Sequence, residues 1–410
     1  MKNRLRDLLS FVLLVVVALA IGCSEKAEPV ADAATAVDLG SDPAATILEI
    51  LDDPDRFDRM EKLIAALRAV PADQADEVFE EVLAGLRHPF QDLERILIAT
   101  AWARHDAPAA TKWAMRRERI ENVRSAVFDE AVYLWAKDDP EAIIRDMDVF
   151  RYSSAGWDKT MLRALVRGWF DSGKPNLEEF IHDLNSAGDD RQRAISEYIK
   201  VRLARDGADK MIEWAGSVPG SIKYRTYIHS RLAGDIAKTD PARAVAWCDE
   251  ICDTKLGEDL PHWIAASWVL SSGADAMNWL TSRPDGLSVQ TGVRASYRRF
   301  LKEDPDAAMA WMEQTTEEQR LGPVLQGPIS MYVNRLSAQK EFEKAIDWAV
   351  RYLQDEYDRE HALEIAARRW LREDPEAAEA WLKDAPMSEE AKVMAHQNRT
   401  TPPPPRPRKS

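Results

Sequence analysis

A chain of 410 residues can hold two or three compact domains, or one elongated array that never needs a single large core. Only 17 glycines beside 14 tryptophans disfavour a turn-rich sheet protein and favour helix. The net charge of −15 excludes an ordinary nucleic-acid binder, because phosphate backbones call for a dense basic footprint. Outside the N-terminus, the one basic cluster is Arg406, Arg408 and Lys409, inside a proline-rich tail.

Residues 1–22 have a basic start followed by an apolar run from Leu8 to Ile21. That run is shorter than the roughly 20 residues needed to span a bilayer and fits the core of a signal peptide. Ala20-Ile21-Gly22-Cys23 then resembles the bacterial lipobox, with alanine where leucine is usual. The resemblance implies acylation of the Cys23 thiol by palmitate-type chains, which would hold the mature protein on a membrane. An uncleaved membrane anchor, or an ordinary signal peptide with a chance cysteine, is the alternative. Removing a leader of net charge +2 leaves −17 on the remainder. Ser24, in the sorting rule that comes with the resemblance, implies the periplasmic face of an outer membrane where the cell has one. Residues 23–42, rich in Ala, Asp and Glu, read as a flexible tether.

Residues 43–89 form an expected N-terminal helical cap, with Asp42-Pro43 and Asp53-Pro54 as helix starts and segments 57–69 and 73–86 as a helix pair. From 90 to 386 one phrase repeats: HDAPAATKWAM, TDPARAVAWCD, SGADAMNWLT, EDPDAAMAWME, EFEKAIDWAVR and EDPEAAEAWLK. Its anchors are Trp113, Trp214, Trp247, Trp279, Trp311, Trp348 and Trp381, spaced 33, 32, 32, 37 and 33 residues apart from Trp214 onward. Two degenerate units, DDPEAIIRDM and GKPNLEEFI, fill the gap between Trp113 and Trp214, the second with Ile181 at the anchor place. Asp106, Asp139, Asp240, Ser272, Asp304 and Asp374 stand at helix N-caps; Pro140, Pro175, Pro241, Pro305 and Pro375 stand at the first helical position. Alanine recurs three residues before the anchor, at 110, 244, 276, 308, 345 and 378, where a small side chain permits close helix approach. Aromatics eleven before the anchor (Trp102, Trp135, Phe170, Trp268, Phe300 and Trp370) end a preceding helix A, so each unit is a helical hairpin. A lone hairpin cannot cover its apolar stripe, and stacking follows. The expected fold is therefore all-α, an α-solenoid of about nine helical hairpins with a period near 33 residues. A capping helix within 387–399 and an extended tail at 400–410 complete the chain. Cys248 and Cys252, four apart on one helix, read as small buried side chains, with a disulfide at a fraying helix end as the alternative.

This pattern resembles the tetratricopeptide repeat family over roughly residues 90–385, with EFEKAIDWAVRYL at 341–353 the nearest segment. The resemblance implies a right-handed superhelix whose concave face is lined by the first helix of each pair. On that face, places eighteen and fourteen before the anchors hold Arg95, Arg163, Arg167, Lys200 and His229, with Arg193 close by. These six make a candidate basic strip for an acidic or carboxylate-bearing partner.

No chemistry-bearing motif stands out. His88, His105, His182, His229, His262, His361 and His396 are scattered without metal spacing, and no Walker loop, GxSxG or dinucleotide glycine motif occurs. No catalytic residue, metal or cofactor is expected. Acidic pairs such as Asp52-Asp53 and Asp138-Asp139 precede proline and read as caps. The expected function is a non-catalytic envelope scaffold that binds a protein or peptide. The alternative is an envelope enzyme acting on carbohydrate or wall polymer, which calls for two carboxylates about 5–10 Å apart across a cleft.

Overall fold

The computed structural model describes residues 37–86, 92–116, 121–147, 159–184 and 189–397. The leader, Cys23, most of the tether and the 400–410 tail lie outside the described residues. Every regular element among the described residues is helical, so the chain is all-α. No helix among them is long and apolar enough to cross a membrane. Internal packing divides the chain into two units, 1–135 and 136–410.

In the first unit, α1 (Pro43–Leu51), α2 (Arg56–Ala69) and α3 (Ala75–Gly85) precede α4 (Asp92–His105) and α5 (Ala107–Arg116). The Asp42 carboxylate caps α1 by accepting from the Ala45 N–H at 3.0 Å, as the Asp-Pro signal predicts. Asp53-Pro54 does not start α2. Asp55 is the cap, accepting from Phe57 and Asp58, while Asp53 pairs with Lys62 at 2.6 Å. Glu94, buried on α4, meets Arg59 of α2 at 3.2 Å. Trp102 stacks near Trp113 with ring centres 5.8 Å apart and donates its Nε1–H to Asp76.

Helix α6 (Glu121–Asp138) crosses the division between the units. The second unit continues with α7 (Pro140–Met147), α8 (Lys159–Ser172), α9 (Leu177–Asp183), α10 (Asp190–Asp206), α11 (Ala208–Ser217), α12 (Ile222–Ala237) and α13 (Pro241–Ile251). Then come α14 (Leu260–Trp268), α15 (Gly273–Thr281), α16 (Leu287–Glu303), α17 (Pro305–Gln314), α18 (Glu317–Leu321), α19 (Gln326–Ala338), α20 (Phe342–Tyr352), α21 (Glu356–Glu373), α22 (Pro375–Asp384) and α23 (Glu389–His396). Every one of the nine repeat phrases is thus a helix pair. The 37-residue interval between Trp311 and Trp348 is accounted for by an insertion, α18 and the 3-10 turn Pro323–Leu325, between two otherwise regular pairs.

Packing follows the repeat. Helices α8, α10, α12, α14, α16, α19 and α21 each lie on the next, and the second helix of each pair fills the seam beside its own first helix. Ala110, Ala244, Ala276, Ala308, Ala345 and Ala378 are fully buried at the close approaches. The Asp-Pro starts behave as capped ends: Asp139, Asp240, Asp304 and Asp374 each accept from a backbone N–H three residues on, at 2.9–3.1 Å. Two cap assignments fail. Ser272 turns its hydroxyl to Asp275 instead of a backbone N–H, and Pro175 lies outside α9, whose cap Asn176 has a left-handed φ of 73°.

The paired aromatics also need a correction. Trp268 with Trp279 and Trp370 with Trp381 meet at the expected eleven-residue spacing, 6.1 and 6.2 Å apart. Trp311 instead faces Tyr297, fourteen residues back, and Trp214 and Trp348, which have no aromatic eleven before them, face Tyr198 and Tyr332, sixteen residues back. Phe300 is buried against Gly273, the first residue of α15 in the preceding hairpin. The places eleven and fourteen back lie one turn apart on the same helix face, which accounts for Tyr297 taking the part expected of Phe300; the place sixteen back, used by Tyr198 and Tyr332, lies off that face.

Candidate functional site

Of the sequence-predicted basic strip, Arg163 and Arg167 lie on α8, and Arg193 and Lys200 on the adjoining α10. Arg167 and Lys200 converge on the buried Glu197 carboxylate at 3.8 and 3.7 Å. Arg193 pairs with Asp189 and Asp190, each at 3.0 Å. Acids from the same helix therefore neutralise most of this patch. Arg163 is exposed. Arg95 belongs to the first unit, is buried, and donates to the Leu86 carbonyl at 3.3 Å. His229 is core: 3% exposed, stacked on Trp247 at 5.5 Å, with Nδ1 2.8 Å from the Arg225 carbonyl oxygen. It takes the aromatic's part in its hairpin, which is why it falls on a repeat position.

The concave feature of the second unit lies elsewhere, along the N-terminal ends of α10, α12, α14 and α16. Two adjoining grooves of about 720 and 580 Å³ share Glu258, Asp259 and Trp263. Trp263 of α14 stands between them, 39% exposed although tryptophan is costly to leave in water. Tyr224 and Tyr227 of α12 wall one side, and Leu287, 80% exposed at the start of α16, the other.

Local sequence explains this arrangement. Gly292 on α16 lets α14 come close, since a Cβ there would meet the His262 Cα at 3.0 Å. The loop between α13 and α14 carries Asp253, Lys255, Glu258 and Asp259 to the groove. It is folded tightly, with the Gly257 and Glu258 N–H groups both donating to the Thr254 carbonyl. A Cβ on Gly257 would lie 2.2 Å from the Ile251 oxygen, so only glycine fits. At the root of this loop Cys248 and Cys252 are joined by a disulfide, with Cα atoms 4.9 Å apart. The reading of two free, buried thiols is thus corrected. Cys252 is the C-cap of α13, where the side chain is no longer held in mid-helix register.

Charge divides the groove. Arg191, Lys223 and Lys255 line the α10–α12 half and Asp253 the α14–α16 half, where Arg283 is paired with Asp249 at 2.6 Å; Asp259 lies at the boundary, and neither it nor Asp253 has a salt-bridge partner among the described residues. Glu258 is paired with Lys255 at 2.8 Å. Arg191 also lies 5.6 Å over the Tyr224 ring. Burial pushes the Tyr224 phenol up and the His262 imidazole down, the latter against the pull of Asp259, so both are neutral at pH 7. Three polar atoms at the groove, Ser230 Oγ, His262 Nδ1 and Ser288 Oγ, are buried without a hydrogen-bond partner among the described residues. Each such atom costs about 1–3 kcal/mol unless something bonds it.

Sequence reasoning missed this groove because its residues lie in the connections and at the N-terminal ends of first helices, away from the positions that recur in the repeat. One signal was available: Trp263 is a tryptophan at neither the anchor place nor the place eleven before it. Among the described residues no group of three His, Cys, Asp or Glu side chains could hold a metal ion. No protein-family model, curated protein or solved structure matches the chain.

Proposed function

We propose that this chain is a non-catalytic scaffold of the bacterial cell envelope. In this reading it is tethered through an acylated Cys23 at the periplasmic face of the outer membrane, and its tetratricopeptide-like stack of hairpins, a right-handed solenoid, binds an extended segment of a partner protein. The observation that carries the reading is the groove where the exposed Trp263 ring and the half-buried Tyr224 and Tyr227 lie beside buried polar atoms that have no hydrogen-bond partner among the described residues. An extended polypeptide offers apolar side chains and a regular series of backbone hydrogen-bonding groups, and so answers both features. Opposite charge on the two halves would fix the direction in which such a segment lies. The lipobox-like Ala20–Cys23 supports the anchor.

The groove is tested by selecting peptides from a random library on the full chain and measuring their affinity for Trp263→Ala. A loss of about tenfold or more is expected for an aromatic at the centre of a binding site. Peptides that bind the variant as tightly as the parent would sink the assignment. Labelled palmitate should enter the parent chain in cells and not Cys23→Ala; an unlabelled parent overturns the anchor.

A further inference from the structure

The acidic half of the groove has a chemistry more particular than a general peptide site. Trp263 and Leu287 present exposed apolar surface, and Pro261 and Pro284 shape the walls. Arg283 and Glu258 on this wall are spent in ion pairs with Asp249 and Lys255, whereas Asp253 and Asp259 make no salt bridge among the described residues, Asp259 feeling only the nearby charge of Lys255. The polar atoms here, Ser288 Oγ and His262 Nδ1, can both donate a hydrogen, the latter in the tautomer with its proton on Nδ1. A ligand rich in proline carbonyls, lacking N–H groups of its own and followed by cations, matches that set. Polyproline segments dock on aromatic-lined grooves in this way, with little entropy left to lose.

The chain itself carries such a segment. Pro402–Pro405 is its one run of consecutive prolines, and Arg406, Arg408 and Lys409 follow in a sequence otherwise dominated by acids. Reach decides whose tail it is. Helices α14, α16, α19, α21 and α23 pack successively, so four steps of about 9 Å, roughly 36 Å, separate Trp263 from the helix that ends before Gln397. Pro402–Pro405, the residues that must lie on Trp263, begin five and end eight residues after Gln397, roughly 16–25 Å in polyproline form. A tail's prolines fall short of the Trp263 of their own chain. We infer that the groove beside Trp263 receives the proline-rich basic tail of a second copy of this chain, with Asp253 and Asp259 holding its arginines.

This inference rests on the peptide-binding reading above and narrows it to one ligand. The test combines two measurements on the full chain in nonionic detergent. In the first, a synthetic peptide of residues 398–410 is titrated calorimetrically; saturable binding is expected, weakened at least tenfold by Trp263→Ala and by the pair Asp253→Lys and Asp259→Lys. In the second, sedimentation follows self-association with concentration. The parent should associate, Arg406→Glu with Arg408→Glu should not, and combining those changes with Asp253→Lys and Asp259→Lys should restore association. All the altered positions are exposed or in the tail, and circular dichroism checks that each variant keeps its helix content. A peptide that does not saturate the chain, binding indifferent to both groove variants, or a parent that stays monomeric throughout would overturn the inference. If library-selected peptides still depend on Trp263 in any of those cases, the scaffold reading survives and only the tail assignment falls.

Discussion

At the scale of single residues, the repeated Asp-Pro signal is a set of helix ends, and its worth can be measured. Asp304 accepts from the Ala307 N–H at 3.0 Å while Pro305 occupies the position that has no hydrogen bond to lose. Asp304→Ala should destabilise the second unit by about 1 kcal/mol, read as a lower urea midpoint; an unchanged midpoint would show the cap to be idle. His229 sets a pH dependence. Burial holds its imidazole below the ordinary value of 6.5, reinforced by the Arg225 charge and opposed by the bond with the Arg225 carbonyl. Above pH 6.5 the ring is neutral in folded and unfolded chain alike. As the pH falls from there through the lower folded value, the unfolded chain takes up the proton first and stability is lost. His229→Phe should flatten part of that acid decline in a series of thermal melts, and a parallel decline in both proteins would refute the role.

At the scale of elements, the disulfide and the loop it roots belong together. Cys248 and Cys252 close a five-residue loop, for which chain entropy gives about 2 kcal/mol. Reduction, or Cys248→Ser with Cys252→Ser, should cost up to that amount and should raise amide exchange across residues 252–259. Exchange unchanged in that loop would mean the bond does not hold it. These elements also show what was legible beforehand. The capped starts, the buried alanines and the pairs Trp268–Trp279 and Trp370–Trp381 could be read because they recur at a fixed spacing set by helix geometry. Tyr297 could not, since it and Phe300 lie one turn apart on the same face and only packing chooses between them, and Tyr332, five residues before the place eleven back, lies off that face and gave no periodic signal. Trp263 and the loop acids were hidden for the opposite reason: Trp263, though on α14, serves no repeating contact, and the acids lie in a connection, which has no period. His229 was misjudged because a repeat position says where a side chain sits along the helix and not whether a neighbour's ring covers it.

At the scale of the whole molecule, contacts in the second unit run mainly between neighbouring hairpins, so damage should stay near its origin. Ala308 is fully buried beside Tyr297, whose hydroxyl donates to the Ala308 carbonyl at 3.3 Å. Ala308→Leu should overpack this seam at a cost of about 1–3 kcal/mol. Hydrogen exchange should rise in α15–α19 while α8–α10 stay protected; uniform loss along the unit would argue for one cooperative block. The insertion of α18 shows the other side of this modularity. Its Arg320 reaches forward to lie 4.6 Å over the Trp348 ring, so the four or five residues by which this interval of 37 exceeds the usual 32 or 33 are accommodated and even fastened without disturbing the next hairpin. That insertion occupies the same kind of connection, from second helix to following first helix, that supplies the groove with Asp253, Asp259 and Leu287. Such joints can be lengthened or rewritten while the stack keeps its beat, so a lineage of these proteins could change what it recognises by editing its hinges and leave its architecture alone.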